Sequence, residues 1–293
     1  MRSHSHTIDA RRGTDRAQAD DPQRDGRHRT RQLYIVGIGP GSLEHLTLRA
    51  TEVLTSVDCV AGYSLYVDLI EPLIGETPTL RSGMMKEVER VEAAIATACG
   101  GTSCALVSSG DPGIYAMAGL VFETCKIKNI PVVRPGAPAA VAMDGPPLVV
   151  EVIPGIPAVC AGAALLGAPL THDFAVVSLS DLLTPWDVIA ERLEAAARAD
   201  FVIVIYNPKS KKRDWQLGAA QKIILAHRDP QTPVGIVTGA MRPNQEVRVV
   251  PLQALGEAPV GMQTTLFVGS RSSIRYLDFM FTPRGYSGKY AIR

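Results

Sequence analysis

Five short apolar runs in this chain each break off at a loop built from glycine, proline or small polar residues. They end at Gly37-Ile-Gly-Pro-Gly-Ser42, Ser108-Ser-Gly-Asp-Pro-Gly-Ile-Tyr115, Pro154-Gly-Ile-Pro-Ala158, Tyr206-Asn-Pro-Lys-Ser210 and Thr238-Gly-Ala-Met-Arg242. Runs such as Leu33–Gly37, Cys104–Val107, Leu148–Ile153 and Phe201–Tyr206 are apolar at nearly every position, as strands buried on both faces must be. Helical spacing of apolar residues separates them, for example Val88, Val91 and Ile95 within Glu87–Cys99. Strand and helix in alternation predict an α/β protein with mainly parallel sheets. In such sheets ligands bind beyond the carboxyl ends of the strands, where these five loops fall.

A chain of 293 residues is long enough for two such units, each with its own core. Prolines crowd the stretch Ile130–Pro147 and set the expected boundary, with an N-terminal domain over 31–145 and a C-terminal domain over 148–293. The second unit is expected to begin with strand Leu148–Ile153 and helix Val159–Leu166. Thr184-Pro-Trp-Asp reads as a helix start with Thr184 as cap. The spans Gln245–Val250 and Thr264–Val268 read as an antiparallel finish. Residues 1–30 carry seven Arg, five Asp and three His with almost no large apolar side chain, and are expected to be a disordered leader. Without them the formal net charge moves from +1 to −1.

That near-neutral balance, with 5% aromatic residues, argues against nucleic acid as partner. Five scattered cysteines form no C-x-x-C pair, so no metal site is expected and a reduced, cytoplasmic protein is. Val152–Thr171 lacks charged residues, but Pro154, Pro157 and Pro169 argue against a membrane span. The first loop tempts a dinucleotide reading. Ser42 replaces the third glycine, however, and Pro40 removes a backbone donor from the turn that would cradle a pyrophosphate. A nicotinamide oxidoreductase is accordingly disfavoured.

Taken together, these loops resemble those of the tetrapyrrole methyltransferases of cobalamin and sirohaem synthesis. Gly167-Ala-Pro-Leu170 supports the likeness. Ser178-Leu-Ser-Asp-Leu-Leu-Thr-Pro-Trp186, Tyr206-Asn-Pro and Thr282-Pro-Arg-Gly-Tyr286 place it near the ring-contracting branch, and the match runs over about Leu33–Tyr286. The resemblance implies two αβα domains with S-adenosyl-L-methionine in the cleft between them. It implies contacts to that cofactor from Pro40, Ser109, Gly110, Asp111 and Ile114 in the first domain, and from Pro157, Ala158, Asn207 and Ala240 in the second. Pro157 departs from the small hydroxyl residue that relatives usually carry there. The implied reaction is methylation of precorrin-3B at C-17, with contraction of the ring to precorrin-4, by a homodimer.

Methyl transfer from a sulfonium is an in-line displacement and needs alignment rather than a protein nucleophile. Ring contraction needs proton transfers, for which His172, Asp173 and Asp181 are the candidates by type and position. Arg81, Lys86, Lys209, Lys211, Lys212 and Arg242 are candidates for the carboxylates of a tetrapyrrole. Two other functions keep the same motifs: a sister methyltransferase acting on another precorrin or cobalt-precorrin position, and a non-catalytic tetrapyrrole carrier.

Overall fold

The computed structural model describes residues 31–137, 146–210 and 213–291; the leader and the candidates Lys211 and Lys212 lie outside them. The first half runs β1 (Gln32–Gly37), α1 (Leu48–Leu54), β2 (Cys59–Tyr63), α2 (Ser64–Ile74), β3 (Thr79–Ser82), α3 (Glu87–Cys99), β4 (Cys104–Ser108), α4 (Met117–Ile127), β5 (Val132–Val133) and β6 (Leu148–Ile153). These six strands form one sheet in the order β3-β2-β4-β1-β6-β5, with every pair parallel. Alternate strand residues face opposite helix layers. Leu33, Ile35, Cys104 and Leu106 pack with Val91, Ile95 and Val121 of α3 and α4. Val36, Ala105 and Val107 pack with Val53, Val67 and Ile70 of α1 and α2.

Strand β6 changes the expected domain division. It reads as the start of the second half because prolines precede it, yet its backbone pairs with β1 over Gln32–Val36 and with β5. The two sheets therefore divide after Ile153, not within the proline-rich segment. Proline density marks a turn there, and ladder partners so distant in sequence leave no local signal.

The second half continues with α5 (Ala158–Leu166), β7 (Gly167–Ala168), β8 (Phe174–Ser178), α6 (Trp186–Arg198), β9 (Val202–Tyr206), α7 (Trp215–Leu225), β10 (Pro233–Thr238), β11 (Glu246–Pro251), β12 (Thr264–Val268), β13 (Ile274–Tyr276), β14 (Phe279–Phe281) and α8 (Tyr286–Lys289). Its five-stranded sheet has the order β11-β10-β12-β9-β8. β8 and β9 run parallel, and β11 and β12 pair antiparallel with β10, the finish expected from their alternation. Helices α6 and α7 cover one face through Ile189, Leu193, Leu217 and Ile224. The other face receives α5, where Gly162 lets the ring of Phe267 approach: a Cβ there would lie 2.6 Å from Phe267 Cε2. A small third sheet, β13-β14-β7, was not anticipated. Helix α6 starts one residue later than expected, with Pro185 rather than Thr184 at the cap position and no side-chain cap. Among the described residues no helix is long and apolar enough to cross a membrane.

Candidate active site

Parallel strands deliver their carboxyl ends to one edge, and in the first sheet those ends are welded together by glycine. Gly39 and Gly110 exchange backbone hydrogen bonds, Gly39 N–H to Gly110 O at 3.1 Å and Gly110 N–H to Gly39 O at 2.7 Å. Gly110 achieves this with φ +68°, a left-handed conformation that glycine tolerates without cost to a side chain. At Gly37 a Cβ would lie 2.6 Å from Gly155 N, and at Gly155 one would lie 2.2 Å from Gly110 O. Three loops can meet this closely only because these positions lack side chains.

Asp111 fixes the same junction. Its Oδ1 accepts from Gly113 N–H at 2.8 Å and its Oδ2 from Gly155 N–H at 3.2 Å. The carboxylate thus ties the loop after β4 to the loop after β6, with a further lone pair on each oxygen for a ligand. Ile114 closes the turn by donating its N–H to Asp111 O at 3.2 Å. Beneath lies Ser108, a buried hydroxyl with no hydrogen-bond partner among the described residues.

The second sheet brings its own edge to this junction. Arg242, in the loop after β10, donates from Nε to Pro40 O at 2.6 Å and from Nη2 to Ser109 Oγ at 3.1 Å. Burial pushes its pKa down, against a favourable pull from Tyr66. Tyr115 reaches the other way, its hydroxyl donating to Val176 O of β8 at 3.1 Å, with its ring 5.4 Å from that of Tyr206. The Tyr206 hydroxyl accepts from Val159 N–H at 2.8 Å. This last contact answers the departure at position 157. Pro157 is the N-cap of α5 and makes no side-chain cap, and the phenol oxygen satisfies the second backbone N–H of the helix instead. Burial pushes the Tyr206 phenol up to about 12.

Asn207 follows directly, held at φ +50° while its Nδ2 donates to Ser178 Oγ at 3.0 Å. Ala240 packs against the α5 face of the second sheet, and Ala158 opens α5. Tyr115 and Met241 also adopt positive φ, uncommon for such side chains, so backbone strain gathers in these loops. The cofactor candidates named from the sequence lie in the segments that follow β1, β4, β6, β9 and β10, with Ala158 already the first residue of α5.

The other candidates divide. Lys209 is exposed on the loop after β9 at the same edge, and Asp181, after β8, accepts from Gln216 Nε2 at 2.8 Å. His172 and Asp173 precede β8, and Phe174 pairs with Val202 while Ser178 pairs with Tyr206. At about 3.3 Å per residue they lie roughly 17 Å from the Asn207 end, at the opposite edge of the sheet. Arg81 is bound to Asp68 and Glu71, Lys86 to Glu89, and Arg242 to the first domain. Gly155, Tyr206 and Tyr115 were not singled out as site residues by sequence, although all three stand in the quoted loops.

The donor set is neutral or acidic: a serine hydroxyl, the Asp111 carboxylate, an asparagine amide and loop backbone. Arg242, the cation that bridges the two sheets, is already engaged. Such a set suits ribose hydroxyls and a cationic sulfonium far better than a pyrophosphate, which seeks free N–H donors and positive charge. Fold and loops together define a two-unit α/β protein in which the strand ends of two sheets meet.

The comparisons agree with this class. The profile of the Tetrapyrrole (Corrin/Porphyrin) Methylases matches residues 32–256. A cobalt-factor III methyltransferase of Priestia megaterium is 44% identical over 261 residues, covering 89% of this chain and 46% of the relative. A probable cobalt-factor III C(17)-methyltransferase of Salmonella typhimurium is 42% identical over 255 residues, covering 87% of this chain and 99% of the relative. Among solved structures, the methyltransferase CobJ superposes with a TM-score of 0.74 at 31% identity, over 86% of this chain and 99% of that one. The chain belongs to the tetrapyrrole methylase family. It spans about half the length of the Priestia relative and almost all of the Salmonella one.

Proposed function

We propose that the junction of the two sheets binds S-adenosylmethionine and that the chain transfers its methyl group to C-17 of a tetrapyrrole in cobalamin biosynthesis, with contraction of the macrocycle. One observation carries this reading. Pro40, Ser109–Asp111, Pro157–Ala158, Asn207 and Ala240 converge from two sheets in a chain over 40% identical to proteins named for C-17 or cobalt-factor III methylation. When bound, the cofactor supplies an electrophilic methyl group on a positively charged sulfur.

The chain's own part is positioning and exclusion of water. Asp111 and the glycine weld hold three loops of the first domain as one rigid wall. Arg242 and Tyr115 close the second sheet against that wall. Asn207, oriented by Ser178, offers its amide oxygen from the opposite side. Lys209 and Asp181 face the same edge as a tetrapyrrole bound beside the cofactor, Lys209 towards its carboxylates. The names of the Priestia and Salmonella relatives favour the cobalt-bearing substrate over metal-free precorrin-3B. We further place the protein in the cytoplasm as a homodimer, which sedimentation at twice the chain mass of 31.4 kDa would test.

The experiment is incubation with methyl-labelled S-adenosylmethionine and either cobalt-factor III or precorrin-3B, followed by mass and visible spectra. One labelled methyl on the tetrapyrrole, with the spectrum of a contracted ring, is expected. Absence of transfer to both substrates would overturn the proposal, and methylation without contraction would remove its ring-contracting half.

A further inference from the structure

Arg90 is a buried cation that the site described above does not use; Arg228, the other buried arginine among the described residues, is paired with Asp200. It stands in the first turn of α3, is 7% exposed, and has no carboxylate partner among the described residues. Taking a guanidinium out of water is expensive unless an opposite charge or a full set of acceptors compensates it. Its compensation here is partial. Nε donates to Ser82 Oγ at 2.7 Å, one terminal nitrogen to Gly83 O at 2.9 Å, and the other meets only the sulfur of Met117 at 3.8 Å. The Tyr63 ring lies 5.9 Å from the guanidinium carbon. A guanidinium carries five donors, so donors remain for an oxygen ligand.

Arg90 borders open space. Thr79, Leu80, Arg81, Ser82, Glu89 and Arg90 line a cleft of about 390 Å³ along the edge strand β3. Two of its charged groups are occupied, Arg81 by Asp68 and Glu71, and Glu89 by Lys86. Arg90 is the cation there without an acid.

The cleft also lies at the right edge. Ser82 is the carboxyl end of β3 with Gly83 directly after it, and Met117 opens α4 shortly after the Asp111–Tyr115 loop. Burial pushes the Tyr66 phenol up, while the charges of Arg242 and Arg90 both pull it down, so both guanidiniums act on one phenol. A large planar ligand leaving the cofactor junction along this edge meets Arg90 at its rim.

We infer that Arg90, presented by Ser82 and Gly83, binds a peripheral carboxylate of the tetrapyrrole substrate. The inference rests on the reading of this chain as a tetrapyrrole methyltransferase and assigns a substrate contact that the sequence candidates omitted. A carboxylate would complete the charge that burial leaves uncompensated, in the two-pronged geometry that guanidinium and carboxylate share. Lysine cannot reproduce that fork.

The test titrates the full-length protein with uroporphyrin III, a polycarboxylate porphyrin, by quenching of its fluorescence, and with S-adenosylhomocysteine by calorimetry. Arg90→Met should weaken uroporphyrin III about tenfold or more, the loss of one charge-assisted contact. Arg90→Lys, which keeps the charge and guards against a misfolded methionine variant, should weaken it about threefold. Both should bind S-adenosylhomocysteine within about twofold of wild type, since a tenfold change would equal a whole lost contact. Unchanged porphyrin affinity in either folded variant overturns the assignment and leaves the methyltransferase reading intact. A wild-type protein that binds S-adenosylhomocysteine but no tetrapyrrole overturns both.

Discussion

Gly155 has room for a hydrogen atom and nothing larger. A Cβ there would sit 2.2 Å from Gly110 O and 2.8 Å from the Gly37 carbonyl carbon, and both neighbours are backbone that cannot swing aside. Gly155→Ala should therefore cost about 3 kcal/mol or more, at the top of the overpacking range. It should also weaken S-adenosylhomocysteine binding, because the loops part to relieve the clash. Thermal melts and calorimetry on the same sample check both. Tyr206→Phe is a gentler test. It strips the acceptor from Val159 N–H and should cost about 1 kcal/mol, the usual value of a helix cap. Its pH signature is separable. The phenol is raised to about 12 in the fold, so its neutral form contributes stability that is complete below pH ~10 and lost as pH rises through ~12. The phenylalanine variant should lack that part of the alkaline loss. Residue-scale legibility was uneven for a physical reason. Glycine and proline announce tight loops from sequence, so the five loops could be placed. The partner of a long side chain is set by the tertiary fold, so Arg242 reads as a substrate cation and turns out to be a strut between domains.

Among the elements, β6 and α5 carry the architecture. β6 completes the first sheet, and α5, a short loop later, packs on the second. The sequence shows β6 as a strand through its apolar run but cannot show which ladder it joins, since register depends on partners far away in the chain. A side-chain pair also anchors β6: Arg49 of α1 grips Glu151 through Nε to Oε1 at 2.9 Å and Nη2 to Oε2 at 2.7 Å. The Arg49 hydrogen bond holds the Glu151 carboxyl below the usual carboxylate range, against a smaller upward push from burial. Arg49 is half exposed, so solvent discounts the pair, and Glu151→Gln should cost only about 0.5–1 kcal/mol at neutral pH. A depressed carboxylate pKa stabilises the fold above its unfolded value and loses that contribution as pH falls through the folded one. The stability gap between wild type and Glu151→Gln should therefore close on acidification, as urea titrations at several pH values would reveal.

For the whole molecule, the two sheets serve one purpose: each turns the carboxyl ends of its parallel strands towards the other. Arg242 to Pro40 and Ser109, and Tyr115 to Val176, hold that arrangement. The alternation of strand and helix, with loops at strand ends, was enough to expect a ligand between two α/β units. Nothing local identified the third sheet, whose strands β13, β14 and β7 are two or three residues long and pair across the chain. The far placement of His172 and Asp173 likewise follows from strand direction, which composition does not encode. The proposed S-adenosylmethionine site at the junction of the two sheets can be probed by calorimetric titration of the full-length protein with S-adenosylhomocysteine and, in parallel, with NADH. Saturable binding of S-adenosylhomocysteine at one site per chain is expected, lost or weakened in Asp111→Ala, with no heat from NADH. Saturable NADH binding with none for S-adenosylhomocysteine would contradict it.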